Sequence, residues 1–291
     1  MFNKIFAASV FFSILILGMH FCIRHNQGFS AKKITMPLPE KAPWNLSPIA
    51  CNDKVLKILD QPFKFLGRGG QVFAFESEDE KYVIKFIRFD LLTPTLTMRL
   101  NRYFFQDHYS YVKKSKRYFE AMQSYYRSFT ELSDLTSTLY AHTVKSDSLN
   151  KKIVLTDKLG KNYTLDLNSA GFVLQKKVCL LGDVLVDLQK NGEDIKIRRV
   201  LEDYLTVLKK RSDRGYWIKD HNQFLRNYGM VDGRVYEIDV GSYRVIKDED
   251  QAFIQKNNRD HLKRLHLWME QNMREHLAFF DDKINEILVE N

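Results

Sequence analysis

Hydrophobic and polar residues alternate in short stretches between positions 63 and 87. Three stretches rich in aromatic and branched side chains are separated by the polar strings GRGG and SEDE: Phe63–Leu66, Val72–Phe75 and Tyr82–Ile87. Short stretches of this kind, divided by glycine-rich or charged turns, are typical of antiparallel strands. The pattern therefore predicts three strands, with a glycine-rich connection between the first two.

A helical period follows the strands. Apolar residues recur every three or four positions from Tyr111 to Leu135, and again in the string IKIRRVLEDYLTVLKKR at 195–211, which predicts two long helices. Apolar strings between them predict three more strands. Short strands are expected from Arg234 to Val245, and two helices from Asp250 onward. The fold class expected is α+β: an N-terminal antiparallel β-sheet lobe with one long helix, then a mostly helical C-terminal lobe.

The first residues differ from the rest. A nearly continuous apolar run extends from Ile5 to Cys22, which predicts a hydrophobic helix at 1–25 serving as a single-pass membrane anchor. The alternative is a cleaved signal segment and a secreted protein. Residues 26–55 carry several prolines with little periodicity, which is typical of an extended linker.

Composition narrows the classes of partner. The 291-residue chain has a formal net charge of +9, which favours anionic partners such as phosphorylated ligands. No nucleic-acid-binding motif is present in the sequence, so a nucleic-acid partner is not expected. The three cysteines are too few and too scattered for a disulfide framework or a zinc site.

The glycine-rich string connects a predicted strand to another strand. Gly67, Gly69 and Gly70 lie in it. Dinucleotide fingerprints and P-loops lead from a strand into a helix instead, and a P-loop also needs a Lys-Ser/Thr pair that is missing here. A strand-to-strand glycine loop favours a flap that folds over nucleotide phosphates.

One lysine lies within the third predicted strand. Alternation places Lys85 on the same face as Val83 and Ile87, so its ammonium group must either reach water or meet an anion. Glu120 and Glu131 share one face of the following helix. Either carboxylate could hold the lysine, and Glu120 is preferred because it leaves more helix before the next strand.

The second half supplies polar residues in a fixed order. Asp220, Asn222 and Asn227 precede the string Asp239-Val240-Gly241. Phosphoryl transfer needs a carboxylate to position the attacking hydroxyl and oxygen ligands for Mg²⁺, usually from Asn and Asp. The alternative interpretation is an ordinary polar hairpin whose turn is Asp232-Gly233.

Together these strings resemble the protein-kinase-like superfamily over roughly residues 60–245. LGRGGQVFAF resembles its glycine-rich loop, YVIK its lysine strand, IKD its His-Arg-Asp position and IDVG its Asp-Phe-Gly motif. The resemblance implies ATP and Mg²⁺ as ligands, an N-lobe at 56–180 and a C-lobe at 181–291. It also implies roles for eight residues: Gly67, Gly69, Gly70 and Lys85 at the phosphates, Glu120 beside Lys85, Asp220 as the catalytic residue, and Asn227 with Asp239 as magnesium ligands.

The chain departs from the family pattern at several positions. Val72 stands where the third loop glycine would be, and Leu225 stands where the asparagine usually follows the catalytic aspartate. Asn227 lies two residues further on. In another alignment Asn222 occupies the base position, and an amide cannot accept a proton.

Two functions follow from these departures. The first is a membrane-anchored kinase-like phosphotransferase that acts on a hydroxyl of a small molecule, a lipid headgroup or a protein. The second is an inactive pseudokinase that serves as a membrane-tethered interaction module. Whether the chain is an enzyme and what its acceptor substrate is stay open at this stage.

Overall fold

The predicted strands belong to a seven-stranded sheet. The computed structural model describes residues 2–35, 46–105, 108–146, 149–218, 224–246 and 251–289. The strands of the large sheet are β1 (Phe63–Arg68), β2 (Val72–Ser77), β3 (Tyr82–Ile87), β4 (Thr138–His142), β5 (Lys152–Thr156), β6 (Asn162–Asp166) and β7 (Phe172–Lys176). Their order across the sheet is β4-β7-β3-β2-β1-β5-β6.

The sheet is mixed in direction. All its neighbouring pairs are antiparallel except β1 and β5, which run parallel. This corrects the expectation of a purely antiparallel sheet, because the β5–β6 hairpin joins the far side of β1. The strands β1 to β3 lie where the alternation predicts them, and β1 and β2 each run two residues past the predicted end.

Helices flank the strands of the first half. Their bounds are α1 (Phe2–His25), α2 (Ala31–Ile34), α3 (Asp53–Ile58), α4 (Phe89–Leu92), α5 (Leu96–Phe105), α6 (His108–Thr130) and α7 (Ser133–Thr136). The helix predicted from Tyr111 to Leu135 corresponds to α6 and α7, which are separated by a turn at 131–132. Helix α6 packs against β4 of the large sheet.

The second half contains two further long helices and two small sheets. Its strands are β8 (Cys179–Leu180), β9 (Tyr216–Ile218), β10 (Tyr228–Val231), β11 (Arg234–Glu237) and β12 (Tyr243–Val245). Its helices are α8 (Leu181–Lys190), α9 (Asp194–Asp213), α10 (Phe224–Asn227), α11 (Gln251–Asn272) and α12 (Leu277–Ile284). The small sheets have the orders β11-β10-β8 and β12-β9.

Local sequence explains two of these elements. In α9 the buried residues Ile197, Leu201, Tyr204 and Leu208 recur at spacings of three and four, which gives the helix one apolar face toward the core. Strands β10 and β11 are joined by Asp232-Gly233, and both residues have positive φ, 53° and 73°. A two-residue turn with this backbone fits the twist of a hairpin.

The core consists of two clusters of buried residues. One lies between the helices α6, α9 and α11 and the small sheets. The other lies on the large sheet and includes Phe29 and Ile34, which belong to the segment expected to be linker. The ring of Phe29 lies 5.1 Å from that of Phe75, centroid to centroid, and Asn26 donates a side-chain hydrogen bond to Asp157 at 3.0 Å. Residues 26–35 therefore pack as part of the sheet's core.

The N-terminal helix does not meet the requirements of a membrane anchor. No helix within the described ranges of the chain is long and apolar enough to span a bilayer, and α1 is included in this statement. The predicted localisation, a single-pass anchor at 1–25, is therefore wrong. Apolar residues of α1 from Val10 to Ile23 are exposed. The apolar run alone was therefore a misleading signal of a membrane span.

The architecture as a whole is α+β. A curved mixed sheet with α6 makes up the first half, and the second half is mostly helical with two small sheets. This arrangement is compatible with a two-lobed kinase-like fold.

Candidate functional site

The glycine-rich connection forms a turn between β1 and β2. A β-bulge lies between Phe65 and Gly67, and the Gly69 amide donates to the Val72 carbonyl at 2.9 Å. A Cβ atom added at Gly67 or Gly70 would meet no atom within 4 Å. The space over these two glycines is open, so a ligand could approach the backbone closely there.

Lys85 lies on β3, an interior strand of the large sheet, and points toward the second half of the chain. Its ammonium group donates a hydrogen bond of 2.5 Å to the carbonyl oxygen of Ile238. Burial lowers the pKa of Lys85 to about 8, and the negative charge of Asp239 opposes this shift. The lysine is therefore half-buried, cationic at neutral pH and close to the Asp239 carboxylate.

Ile238 also connects Asn227 to this lysine. The Ile238 amide donates to the Asn227 carbonyl at 2.7 Å, while the Ile238 carbonyl accepts from Lys85. Asp239 is exposed and follows directly in the chain, and Asn227 is buried at the end of α10. The structure thus brings Lys85, the main chain of Asn227 and Asp239 together around one residue, Ile238, although Lys85 is far from the other two in sequence.

The predicted catalytic residue falls outside the described part of the chain. Asp220 and the alternative base position Asn222 lie outside the described residues. Their neighbour Ile218 ends β9, which pairs with β12 through Tyr243.

The structure corrects the predicted partner of Lys85. Glu120 accepts a hydrogen bond from Arg244 at 2.8 Å, and Glu131 accepts from the Tyr216 hydroxyl. Both carboxylates are thus engaged by β9 or β12 rather than by β3. Sequence spacing places the two glutamates on one face of the helix, but only the tertiary fold determines which strand that face meets.

Helix α6 reaches the Asp239 segment through hydroxyl groups instead. Ser124 donates to the Val240 carbonyl at 2.6 Å and accepts from the Tyr243 amide at 2.8 Å. Tyr125 lies against Gly241, where an added Cβ would come within 2.5 Å of its hydroxyl oxygen. The sequence did not predict either contact, because a serine and a tyrosine on a helix cannot be distinguished from ordinary packing residues by their pattern.

A buried ion pair supports the strand that precedes Asp239. Arg211 and Glu237 are each about 1% exposed, and their side chains meet at 3.1 Å. Arg211 also donates to the Tyr228 hydroxyl at 2.8 Å. Burial raises the pKa of Glu237 and the nearby Arg211 charge lowers it, with a net upward direction. The pair ties α9 to β11 two residues before Asp239.

A cavity of about 520 Å³ adjoins this region between α6, β9, β12 and α11. The Glu120–Arg244 pair lines it, together with Trp217 and Phe253, whose rings meet edge to face at 5.1 Å. The guanidinium group of Arg244 is already paired with a carboxylate, so the cavity has no unbalanced charge from this residue.

The predicted metal ligands at the site are few, and all of them are oxygen atoms. Across the described ranges, no three His, Cys, Asp or Glu side chains are grouped as they are in a metal site. The predicted magnesium ligands are one amide, Asn227, and one carboxylate, Asp239. Mg²⁺ commonly uses one or two carboxylates and completes its coordination with water and substrate phosphates, so this set fits magnesium held together with a nucleotide.

Comparison with known proteins gives little further guidance. No protein-family model matches the chain, and no curated protein matches it. Among solved structures it is similar to the bifunctional kinase-methyltransferase WbdD, with 18% identity and a TM-score of 0.34. The match covers 74% of this chain and 43% of WbdD, so the chain spans less than half of that protein. At this TM-score the similarity carries no argument about the relationships or the chemistry of this chain.

Proposed function

We propose that this chain binds Mg²⁺-ATP between the β1–β2 glycine turn and Asp239 and transfers phosphate to a hydroxyl group. The observation that carries the proposal is that Lys85 and the main chain of Asn227 both bond to Ile238, the residue directly before Asp239. An ammonium group, an amide oxygen and a carboxylate are what a nucleotide with its metal requires in one place.

Each residue has a defined role in this proposal. Lys85 would exchange its carbonyl partner for phosphate oxygens, and Asn227 with Asp239 would supply oxygen ligands to Mg²⁺. When bound, the metal would neutralise charge that develops on the phosphates. The open backbone at Gly67 and Gly70 would face the phosphates. Asp220 would orient the acceptor hydroxyl and accept its proton.

The second candidate is a nucleotide-binding protein without turnover. It is favoured by the Glu120–Arg244 pair, which leaves Lys85 without the helix carboxylate that the resemblance implies, and by Val72 in the glycine loop. Both candidates require nucleotide binding, and they differ in whether the phosphate is transferred.

Thermal unfolding of the full chain with and without Mg²⁺-ATP tests the shared part. A ligand at 100 times its dissociation constant stabilises the native state by about 2.7 kcal/mol. We expect this stabilisation in the wild type and its loss in Asp239→Ala. Absence of any effect in the wild type would reject both candidates.

Turnover separates the two candidates. ATP hydrolysis by the wild type that disappears in Asp220→Asn, while nucleotide binding persists, supports the enzyme. If the wild type binds nucleotide but hydrolyses none above the Asp220→Asn background, the binding-only protein is supported.

A further inference from the structure

The hydroxyl group of Tyr125 lies beside the candidate site, against Gly241. Tyr125 is 3% exposed and lies on α6, one residue after Ser124. Its hydroxyl oxygen would be 2.5 Å from a Cβ atom added at Gly241. Gly241 has no positive φ among the described backbone angles, so the glycine there accommodates the tyrosine rather than an unusual backbone conformation.

Gln71 and the charge of Asp239 both act on this hydroxyl. Gln71, directly before β2 and beside the glycine turn, accepts a hydrogen bond from it through Oε1 at 3.4 Å. Burial and the negative charge of Asp239 both raise the pKa of Tyr125. The phenol therefore stays protonated and remains a hydrogen-bond donor over the physiological pH range.

The preceding residue acts on the same segment from the same helix. Ser124 holds Val240 and Tyr243 through its hydroxyl, so two consecutive hydroxyl groups of α6 contact residues 240–243. These contacts come from the helix whose carboxylate Glu120 is engaged by Arg244. Helix α6 thus contacts the residues after Asp239 directly, while Lys85 on strand β3 contacts Ile238, the residue before it.

We infer that Tyr125 is a positioning residue for the segment 239–241, because its ring and hydroxyl pack on Gly241 while its hydroxyl donates to Gln71 beside the glycine turn. The inference rests on the proposed function, since this segment begins with the candidate magnesium ligand Asp239. The tyrosine would hold the segment and the glycine turn at a fixed separation, which is the separation that metal-bound phosphates have to bridge. Removing a residue that orients a metal ligand typically weakens metal affinity 10- to 100-fold.

Tyr125→Phe tests this, because it removes the hydroxyl and keeps the ring. The affinity for the β,γ-imido analogue of ATP is measured by calorimetry in EDTA and again in excess Mg²⁺, and the ratio of the two affinities is the readout. We expect the ratio to fall about 10- to 100-fold in Tyr125→Phe, with the affinity in EDTA unchanged. A purely structural role would change both affinities by the same factor.

Tyr140→Phe is the matched control. Tyr140 is also buried, and its hydroxyl donates to the Ile49 carbonyl at 2.9 Å in the other core cluster. Its ratio should equal that of the wild type. Tyr125→Phe with a wild-type ratio, or with equal losses in EDTA and Mg²⁺, overturns the inference and leaves the proposed function standing. A wild type that binds the analogue under neither condition rejects the proposed function, and the inference fails with it.

Discussion

The ammonium group of Lys85 donates a hydrogen bond to the carbonyl oxygen of Ile238, 153 residues away in the chain. This contact joins β3, an interior strand of the large sheet, to the residue before Asp239. Burial lowers the pKa of Lys85 to about 8, and the negative charge of Asp239 opposes the shift. A partly buried cation of this kind costs stability in the absence of an anionic ligand.

The lowered pKa predicts how stability depends on pH. Between about pH 8 and 10.5 the unfolded chain keeps a proton on Lys85 that the folded protein has lost, so stability rises with pH in this window. Lys85→Met lacks this contribution. We therefore expect the wild type to gain up to about 3 kcal/mol relative to Lys85→Met across the window, since one pKa unit corresponds to about 1.4 kcal/mol.

Urea unfolding of both proteins at a series of pH values measures this difference. The buried tyrosines also titrate at high pH, but they are common to both proteins and cancel. Lys190→Met, at the exposed end of α8, is the control for the loss of a surface lysine. A constant difference between the wild type and Lys85→Met would contradict the lowered pKa.

The secondary structure was largely predictable because its signals are local. Alternation located β1 to β3, the period of three and four located α9, and Asp232-Gly233 marked the β10–β11 turn. The packing of the N-terminal region was not predictable. Prolines suggested a linker at 26–55, whereas Phe29 is inserted into the aromatic core through contacts with strands over 30 residues away, and no local pattern encodes such contacts.

The site was predictable only in part for the same reason. Motif order suggested Lys85, Asn227 and Asp239, and the fold brings these three together. Glu120 pairs with Arg244, which lies 124 residues away in the chain. Helix periodicity could not identify this partner. Tyr125 belongs to the apolar period from Tyr111 to Leu135, and nothing in the sequence shows that its hydroxyl faces a glycine.

The contact between Tyr125 and Gly241 predicts a coupled pair of substitutions. Gly241→Ala would place a Cβ 2.5 Å from the tyrosine oxygen, and overpacking of this kind typically costs about 1–3 kcal/mol. In the Tyr125→Phe background the oxygen is absent, so the same substitution should cost less. A double-mutant cycle measured by urea unfolding gives the coupling energy.

Gly70→Ala is the control for this cycle. An added Cβ at Gly70 meets nothing within 4 Å, so its effect on stability should be small and independent of residue 125. If Gly241→Ala costs the same in both backgrounds, the hydroxyl is not what excludes a side chain at 241.

The buried Arg211–Glu237 pair predicts a large loss when one partner is removed. Glu237→Gln would leave the guanidinium group without its counter-charge at a position about 1% exposed, and breaking a buried pair typically costs about 3–5 kcal/mol. Replacing both residues with apolar ones, as in Arg211→Met with Glu237→Leu, should recover much of that loss. The free energy of unfolding in urea measures each variant.

The surface pair Lys176–Asp232 provides the comparison. Its side chains meet at 2.7 Å but are 36% and 65% exposed, so Asp232→Asn should cost no more than about 1 kcal/mol. A cost for Glu237→Gln as small as that of Asp232→Asn would show that the buried pair is not needed to support β11.

The insertion of Phe29 into the core predicts that the N-terminal segment contributes to the stability of the sheet. Its ring contacts those of Phe65, Phe73 and Phe75, and truncating a buried phenylalanine to alanine typically costs about 3–5 kcal/mol. Phe29→Ala should lower the free energy of unfolding by this amount. It should also speed cleavage by trypsin after Lys32 or Lys33, because undocking of the segment exposes its backbone.

Phe105→Ala is the matched control for this substitution, since the same side chain is 79% exposed at the end of α5. It should leave both the unfolding free energy and the cleavage rate near those of the wild type. If Phe29→Ala behaves like Phe105→Ala, the segment 26–35 contributes little to the core. If instead cleavage accelerates without a change in global unfolding, the segment undocks as a separate unit while the sheet stays folded.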